Sequence, residues 1–139
     1  MKIPQSLIAL LILSASSALA DTDGILHAFY GLDIETQGRK VATVRKSANV
    51  ILDTPIEINF EGRCKVSLVF GPGQAEGYEL IMTIRELRSS SPDIYTLPVN
   101  HFYALQLDEQ LEFVIQTSHG LTISGAIRLT EVSRFELAI

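Results

Sequence analysis

LEFVIQTSHGLTISGAIRLTEV, residues 111–132, decides the fold. Leu111, Phe113 and Ile115 alternate with Glu112, Val114 and Gln116, and after Thr117-Ser118-His119-Gly120 the rhythm resumes. Leu121, Ile123, Gly125, Ile127 and Leu129 then alternate with Thr122, Ser124, Ala126, Arg128 and Thr130. A period of two sends one set of side chains to a buried face and the other to water. The stretch therefore predicts a β-hairpin with one wet face, whose Leu/Ile/Phe face requires a second layer to cover it.

Working outward, the same rhythm recurs along the chain. Residues 25–35 place Leu26, Ala28, Tyr30, Leu32 and Ile34 on one side, and Gln37-Gly38 reads as a tight hairpin turn. The return strand, residues 39–53, opens with Arg39, Lys40, Arg45 and Lys46 and reads as a solvated edge strand, with a bulge or break expected at Ser47-Ala48-Asn49. An acidic protein surface is the functional reading of that basic run. Asp53-Thr54-Pro55 is a turn into a half-buried strand of Ile56, Ile58 and Phe60, and Glu61-Gly62 turns into Cys64 to Phe70. Tyr78, Leu80, Met82 and Ile84 form the next inward set. Val69 and Ile81, apolar on the nominally outer face, indicate central strands or a patch that a partner covers. Arg88-Ser89-Ser90-Ser91-Pro92-Asp93 is the expected crossover between sheets, followed by short strands split by Pro98 and a last strand of Phe135, Leu137 and Ile139.

Leu52-Asp53-Thr54-Pro55-Ile56-Glu57-Ile58 echoes Leu107-Asp108-Glu109-Gln110-Leu111-Glu112-Phe113: a strand end, an acidic turn and a strand start. Shared turn chemistry and duplication both account for it. The expected architecture is a single all-β antiparallel β-sandwich of about eight or nine strands, spanning residues 21–139.

The first twenty residues read as a cleaved signal peptide. Lys2 precedes the apolar run Leu7 to Leu13, and Ala18-Leu19-Ala20 is a cleavage site that places the mature start at Asp21. The apolar run is shorter than the ~20 residues a bilayer span needs, so no transmembrane segment is expected after cleavage. Localisation is expected to be periplasmic or extracellular. Without Lys2, ten basic residues face sixteen acidic ones, a net charge of −6. That balance argues against nucleic acid or an anionic membrane as partner. Cys64 is unpaired in the sequence, so no intrachain disulfide can form. Arg63 and Lys65 beside it would lower an exposed thiol's pKa, whereas a buried thiol at a strand start would be inert.

A catalytic constellation does not emerge. His27, His101 and His119 have no ligand-pair spacing, so neither a metal nor another cofactor is expected, and no nucleophile motif is present. The Gly71-Pro72-Gly73-Gln74 stretch lacks the Lys-Ser/Thr and following helix of a phosphate cradle, and reads as a hairpin tip or contact loop. The expectation is an exported, non-catalytic module that binds another exported or envelope protein, as an accessory, inhibitor or immunity-type partner. Its expected contacts are Arg39, Lys40, Arg45 and Lys46, the loop of Gly71, Pro72, Gly73 and Gln74, and the tip of Ser118 and His119, with the terminal strand as a further surface. One alternative is a small-ligand pocket near Tyr30, Tyr78, Phe102 and Tyr103. Another is a hydrolase using a His with carboxylates drawn from Asp53, Glu57, Glu61, Asp108, Glu109 and Glu112.

Overall fold

The computed structural model describes residues 24–90 and 93–132. The proposed signal peptide, the Ser91-Pro92 step and the strand expected at residues 135–139 lie outside them. The described residues are all-β with no helix, in nine strands: β1 (Ile25–Thr36), β2 (Arg39–Asn49), β3 (Ile56–Phe60), β4 (Cys64–Pro72), β5 (Tyr78–Ser90), β6 (Asp93–Tyr95), β7 (Val99–Leu105), β8 (Gln110–Gln116) and β9 (Leu121–Val132). Two antiparallel sheets form, one ordered β2-β1-β9-β8, the other β3-β4-β5-β7 with β6 also paired to β5.

The inward sets meet between the sheets. Ala28, Leu32 and Ile34 of β1 and Ile123, Ile127 and Leu129 of β9 face Val66, Leu68 and Phe70 of β4 and Leu80 and Met82 of β5, all fully buried. Removing these aliphatic and aromatic side chains from water supplies the main driving force for stacking the sheets.

Connectivity is up-and-down. Apart from the short β6, each strand follows its chain neighbour around the stack, and β9 pairs with β1 to close the circuit. The circuit lacks ladder bonds at two seams, β2/β3 and β7/β8. Residues from β2 and β3 line one cleft of about 200 Å³, and Tyr103 of β7 packs on Phe113 of β8 with ring centroids 6.2 Å apart. The molecule is thus a flattened barrel parted along two edges.

The true sheet-to-sheet crossovers are residues 50–55 and 106–109, which overlap the first halves of the two echoing segments. In both, the Asp adopts positive φ (Asp53 63°, Asp108 65°). Its N–H donates to a carbonyl on the second strand of the sheet being entered, Phe70 or Leu129, each at 2.8 Å. The next residue donates to the carbonyl three positions back. Asp tolerates the left-handed region better than most side chains. Residues 88–93, expected to cross between sheets, do not: β5 extends to Ser90, and β6 folds back beside it in the same sheet.

The bulge in β2 also differs from expectation. Pairing runs unbroken through Ser47-Ala48-Asn49, and the extra residue is Val41, between the Ile34–Ala42 and Glu35–Lys40 pairs. This shift lets Val41 and Ala42 both pack against the core, and it sets Lys40 on the outer face opposite Glu35. At the adjoining turn Gln37 and Gly38 both have positive φ, 52° and 75°, the geometry of a type I′ hairpin.

Candidate binding surfaces

The basic strand is not a free positive surface. Asp33, on the outer face of β1, takes Lys40 Nζ at 3.5 Å and Arg45 Nη2 at 3.2 Å. Thr43 Oγ1 donates to the same carboxylate at 2.6 Å. That hydroxyl bond, joined by the Arg45 and Lys40 charges and opposed by partial burial, holds Asp33 below the usual aspartate range. Arg45 lies flat over Gly31, where a Cβ would meet its Cδ at 2.7 Å, and donates from Nη1 to the Val44 carbonyl at 2.8 Å. Lys46 pairs in register with the buried Tyr30, so it occupies an inward position on an edge strand and lines the β2/β3 seam with Glu57. A charge there discourages stray strand pairing. Arg39 is exposed beside the hairpin turn, opposite Thr36.

The glycine loop and the β8–β9 tip do not form one surface. The up-and-down path puts residues 73–77 at the crossover end of the stack and residues 117–120 at the other end. Gly71 and Pro72 end β4, and Gly73 and Gln74 enter a turn closed by Gly73 N–H to the Gly77 carbonyl at 3.0 Å. The glycines give room to both crossovers: a Cβ at Gly71 would sit 3.1 Å from Asp53 Oδ1, and one at Gly77 would sit 2.8 Å from the Leu105 carbonyl oxygen. Ser118 and His119 are exposed at the opposite tip.

Beneath that tip lies the residue the sequence reading missed. Glu86 is 5% exposed, the one charged side chain buried among the described residues. Thr117 Oγ1 donates to its Oε2 at 2.5 Å, and the His119 N–H approaches Oε1 at 3.4 Å, tying β5 of one sheet to the tip of the other. The signal was present: Glu86 is the next inward position after Tyr78, Leu80, Met82 and Ile84, where alternation calls for an apolar residue. Cys64 is its register partner and is fully buried, with no disulfide. Burial first, and the Glu86 charge second, push its thiol up to about 12 against the opposing pull of Arg63. The thiol therefore stays protonated and inert at neutral pH.

The four aromatic residues of the ligand-pocket alternative do not converge. Tyr30, Tyr78 and Tyr103 belong to the inward sets, whereas Phe102 is on the outer face of β7 and 63% exposed. Burial raises the phenol pKa values of Tyr30 and Tyr103. The histidines are equally dispersed. His27 sits on the outer face of β1 with Nδ1 2.8 Å from Asn49 Oδ1, His101 faces inward on β7, and His119 is at the tip. Glu57 lies on edge strand β3 of one sheet and Glu112 on edge strand β8 of the other. Among the described residues, no three His, Cys, Asp or Glu side chains gather to hold a metal. Among the same residues no helix is long and apolar enough to cross a membrane.

A broad concavity lies on the outside of the four-stranded sheet. Small residues on the two central strands, Gly31, Ser124 and Ala126, floor a hollow of about 1150 Å³. Phe29 (49% exposed) and Val114 (71% exposed) flank it as apolar walls. Of its charged lining residues, Arg45 is paired with Asp33 and Arg128 with Asp108 at 3.9 Å, Glu112 accepts a 3.1 Å hydrogen bond from Gln110 Nε2, and Lys46 stands at the rim toward the β2/β3 seam. No protein-family model matches the chain, nor does any curated protein or solved structure.

Proposed function

We propose that the chain is an exported, non-catalytic binding module that takes an apolar, uncharged segment of another exported or envelope protein on the outer face of its four-stranded sheet. The observation that carries this reading is the hollow floored by Gly31, Ser124 and Ala126 between exposed Phe29 and Val114. Outer sheet faces are ordinarily polar and filled. Here Ser124 and Ala126 leave a low stretch on β9, Arg45 lies over Gly31 at one side of it, and two large apolar groups flank the gap. Protein interfaces concentrate apolar contact at the centre and polar groups at the rim, which is the pattern Phe29 and Val114 make with Ser47, Gln110 and Arg128. Arg45 is held by five hydrogen bonds to Asp33, Thr43 and neighbouring carbonyls, so little side-chain ordering remains for binding to impose.

The test is affinity capture by the processed chain from an extract of its own cells, with Phe29→Glu and Val114→Glu beside the wild type. A stoichiometric protein is expected with wild type and should fall at least tenfold with either variant, at unchanged melting temperature. Equal capture by all three proteins refutes the reading. So does a hydrolytic activity abolished by substituting one carboxylate or histidine.

A further inference from the structure

Of the β2 cations, Lys40 and Arg45 are paired with Asp33; on the other sheet, two cations stand side by side. Lys65 of β4 and Arg85 of β5 are directly opposite in register, both exposed on the outer face of the five-stranded sheet. Like charges directly across a strand pair oppose folding. No acidic side chain forms a salt bridge with either among the described residues. The acids nearest along β3 are Glu57, one pair further from Lys65, and Glu61, just past the strand end, while Asn59 stands opposite Lys65. Both cations are nonetheless held in place. Lys65 Nζ lies 4.6 Å from the centroid of the Tyr95 ring, and Arg85 Nε donates to the Thr96 carbonyl at 3.4 Å. Arg63 precedes this pair by two residues on β4's approach, and Arg88 follows it on β5.

We infer that Lys65 and Arg85 form a second contact surface, which takes an acidic segment of a partner protein with carboxylates bridging the two cations. In a chain with sixteen acidic and eleven basic residues, an adjacent pair of held cations without a salt bridge among the described residues is a local reversal of the overall field. Carboxylates across it would remove the repulsion the folded chain carries. The guanidinium offers the planar donor geometry carboxylates prefer, and the ammonium adds a point charge beside it. This surface is on the opposite sheet from the hollow and does not depend on that reading.

The experiment measures binding of the full processed chain to a labelled ten-residue glutamate peptide, with a glutamine peptide of equal length as control. Wild type is expected to bind the glutamate peptide, more weakly as salt rises. Lys65→Gln with Arg85→Gln should lose at least tenfold, Lys65→Arg should retain binding, and Lys40→Gln should change it less than twofold. The double variant should melt no lower than wild type, which separates lost contact from lost fold. Absence of binding by wild type, equal loss in Lys40→Gln, or equal binding of the glutamine peptide would overturn the inference. Loss in Val114→Glu would place the peptide in the hollow instead, and full competition by inorganic phosphate at matched charge would show a general anion site. Each of these two results also overturns it.

Discussion

The bond between Glu86 and Thr117 joins the two sheets through polar atoms, and its strength can be measured by a double-mutant cycle. Removing the carboxylate with Glu86→Ala deletes a 2.5 Å hydrogen bond to an almost fully buried group. A hydrogen bond to a charged group contributes about 1.5–3 kcal/mol. Some of the loss is softened, because the Thr117 hydroxyl can turn to the Leu121 carbonyl, 3.2 Å away, and the exposed tip lets water reach the His119 N–H. The truncation also leaves space among packed neighbours, so the expected cost is about 2–3 kcal/mol. Thr117→Val preserves shape but strips the carboxylate of its closest donor, and the expected cost is about 2 kcal/mol. If the two groups act as a unit, the double variant should cost less than the sum by about 1.5 kcal/mol, within the range for residues in contact. The chain has no Trp, so urea unfolding of the protein should be followed by far-UV circular dichroism or tyrosine fluorescence. At this size Glu86→Ala should lower the melting temperature by roughly 8–12 °C. Additivity within about 0.5 kcal/mol would refute the reasoning, since it would mean that the pair does not couple the sheets.

Three further outcomes are expected. Gly125→Ala places a methyl group against the Gly31 carbonyl oxygen and 3.1 Å from Leu32 Cα, backbone atoms of the paired strand that cannot step aside. Chemical denaturation should show a loss of about 3 kcal/mol or more, against the usual mild effect of alanine in a strand. The depressed Asp33 pKa stabilises the folded state above the unfolded carboxylate's pKa, and that contribution disappears as pH falls through the lower folded value. Asp33→Asn should therefore lower stability at pH 7 and flatten its acid limb below about pH 4, as read from melting temperature against pH. Cys64, buried and with its thiol pushed up to about 12, should resist a thiol reagent at pH 8 until denaturant is added; labelling of the native protein within minutes would contradict its placement.

Much of the layer assignment was legible in the residues. The alternation of Leu111, Phe113, Ile115, Ile123, Ile127 and Leu129 identified the inward face of β8 and β9, and turn chemistry located Gln37-Gly38. Local chemistry could not distinguish a reversal within a sheet from a step between sheets. Asp53 and Asp108 make crossovers with ordinary turn signals, while β5 and β6, on either side of the more conspicuous Ser/Pro stretch, pair in one sheet. The pairing of the β2 charges was hidden for a related reason. Arg45 and Asp33 are twelve positions apart and meet through the hairpin register, and the bulge at Val41 sets Lys40 beside them. Conversely, Lys65 and Arg85 are twenty positions apart and reveal themselves as a pair in the β4–β5 ladder. The hollow was equally hidden, because Gly31 and Ala126 have no special meaning until β1 and β9 lie side by side.

The closure between β1 and β9 has a kinetic consequence. Its pairs run from Thr36–Leu121, 85 positions apart, to Ile25–Val132, 107 apart, whereas the other ladders join strands close in sequence. Hairpins form in microseconds, but drawing distant segments together spends chain entropy before any contact rewards it. Refolding should proceed through preformed meanders, with the docking of β1 on β9 setting the rate. Substitutions along that ladder should slow folding, and those in the β3–β4 hairpin should chiefly hasten unfolding.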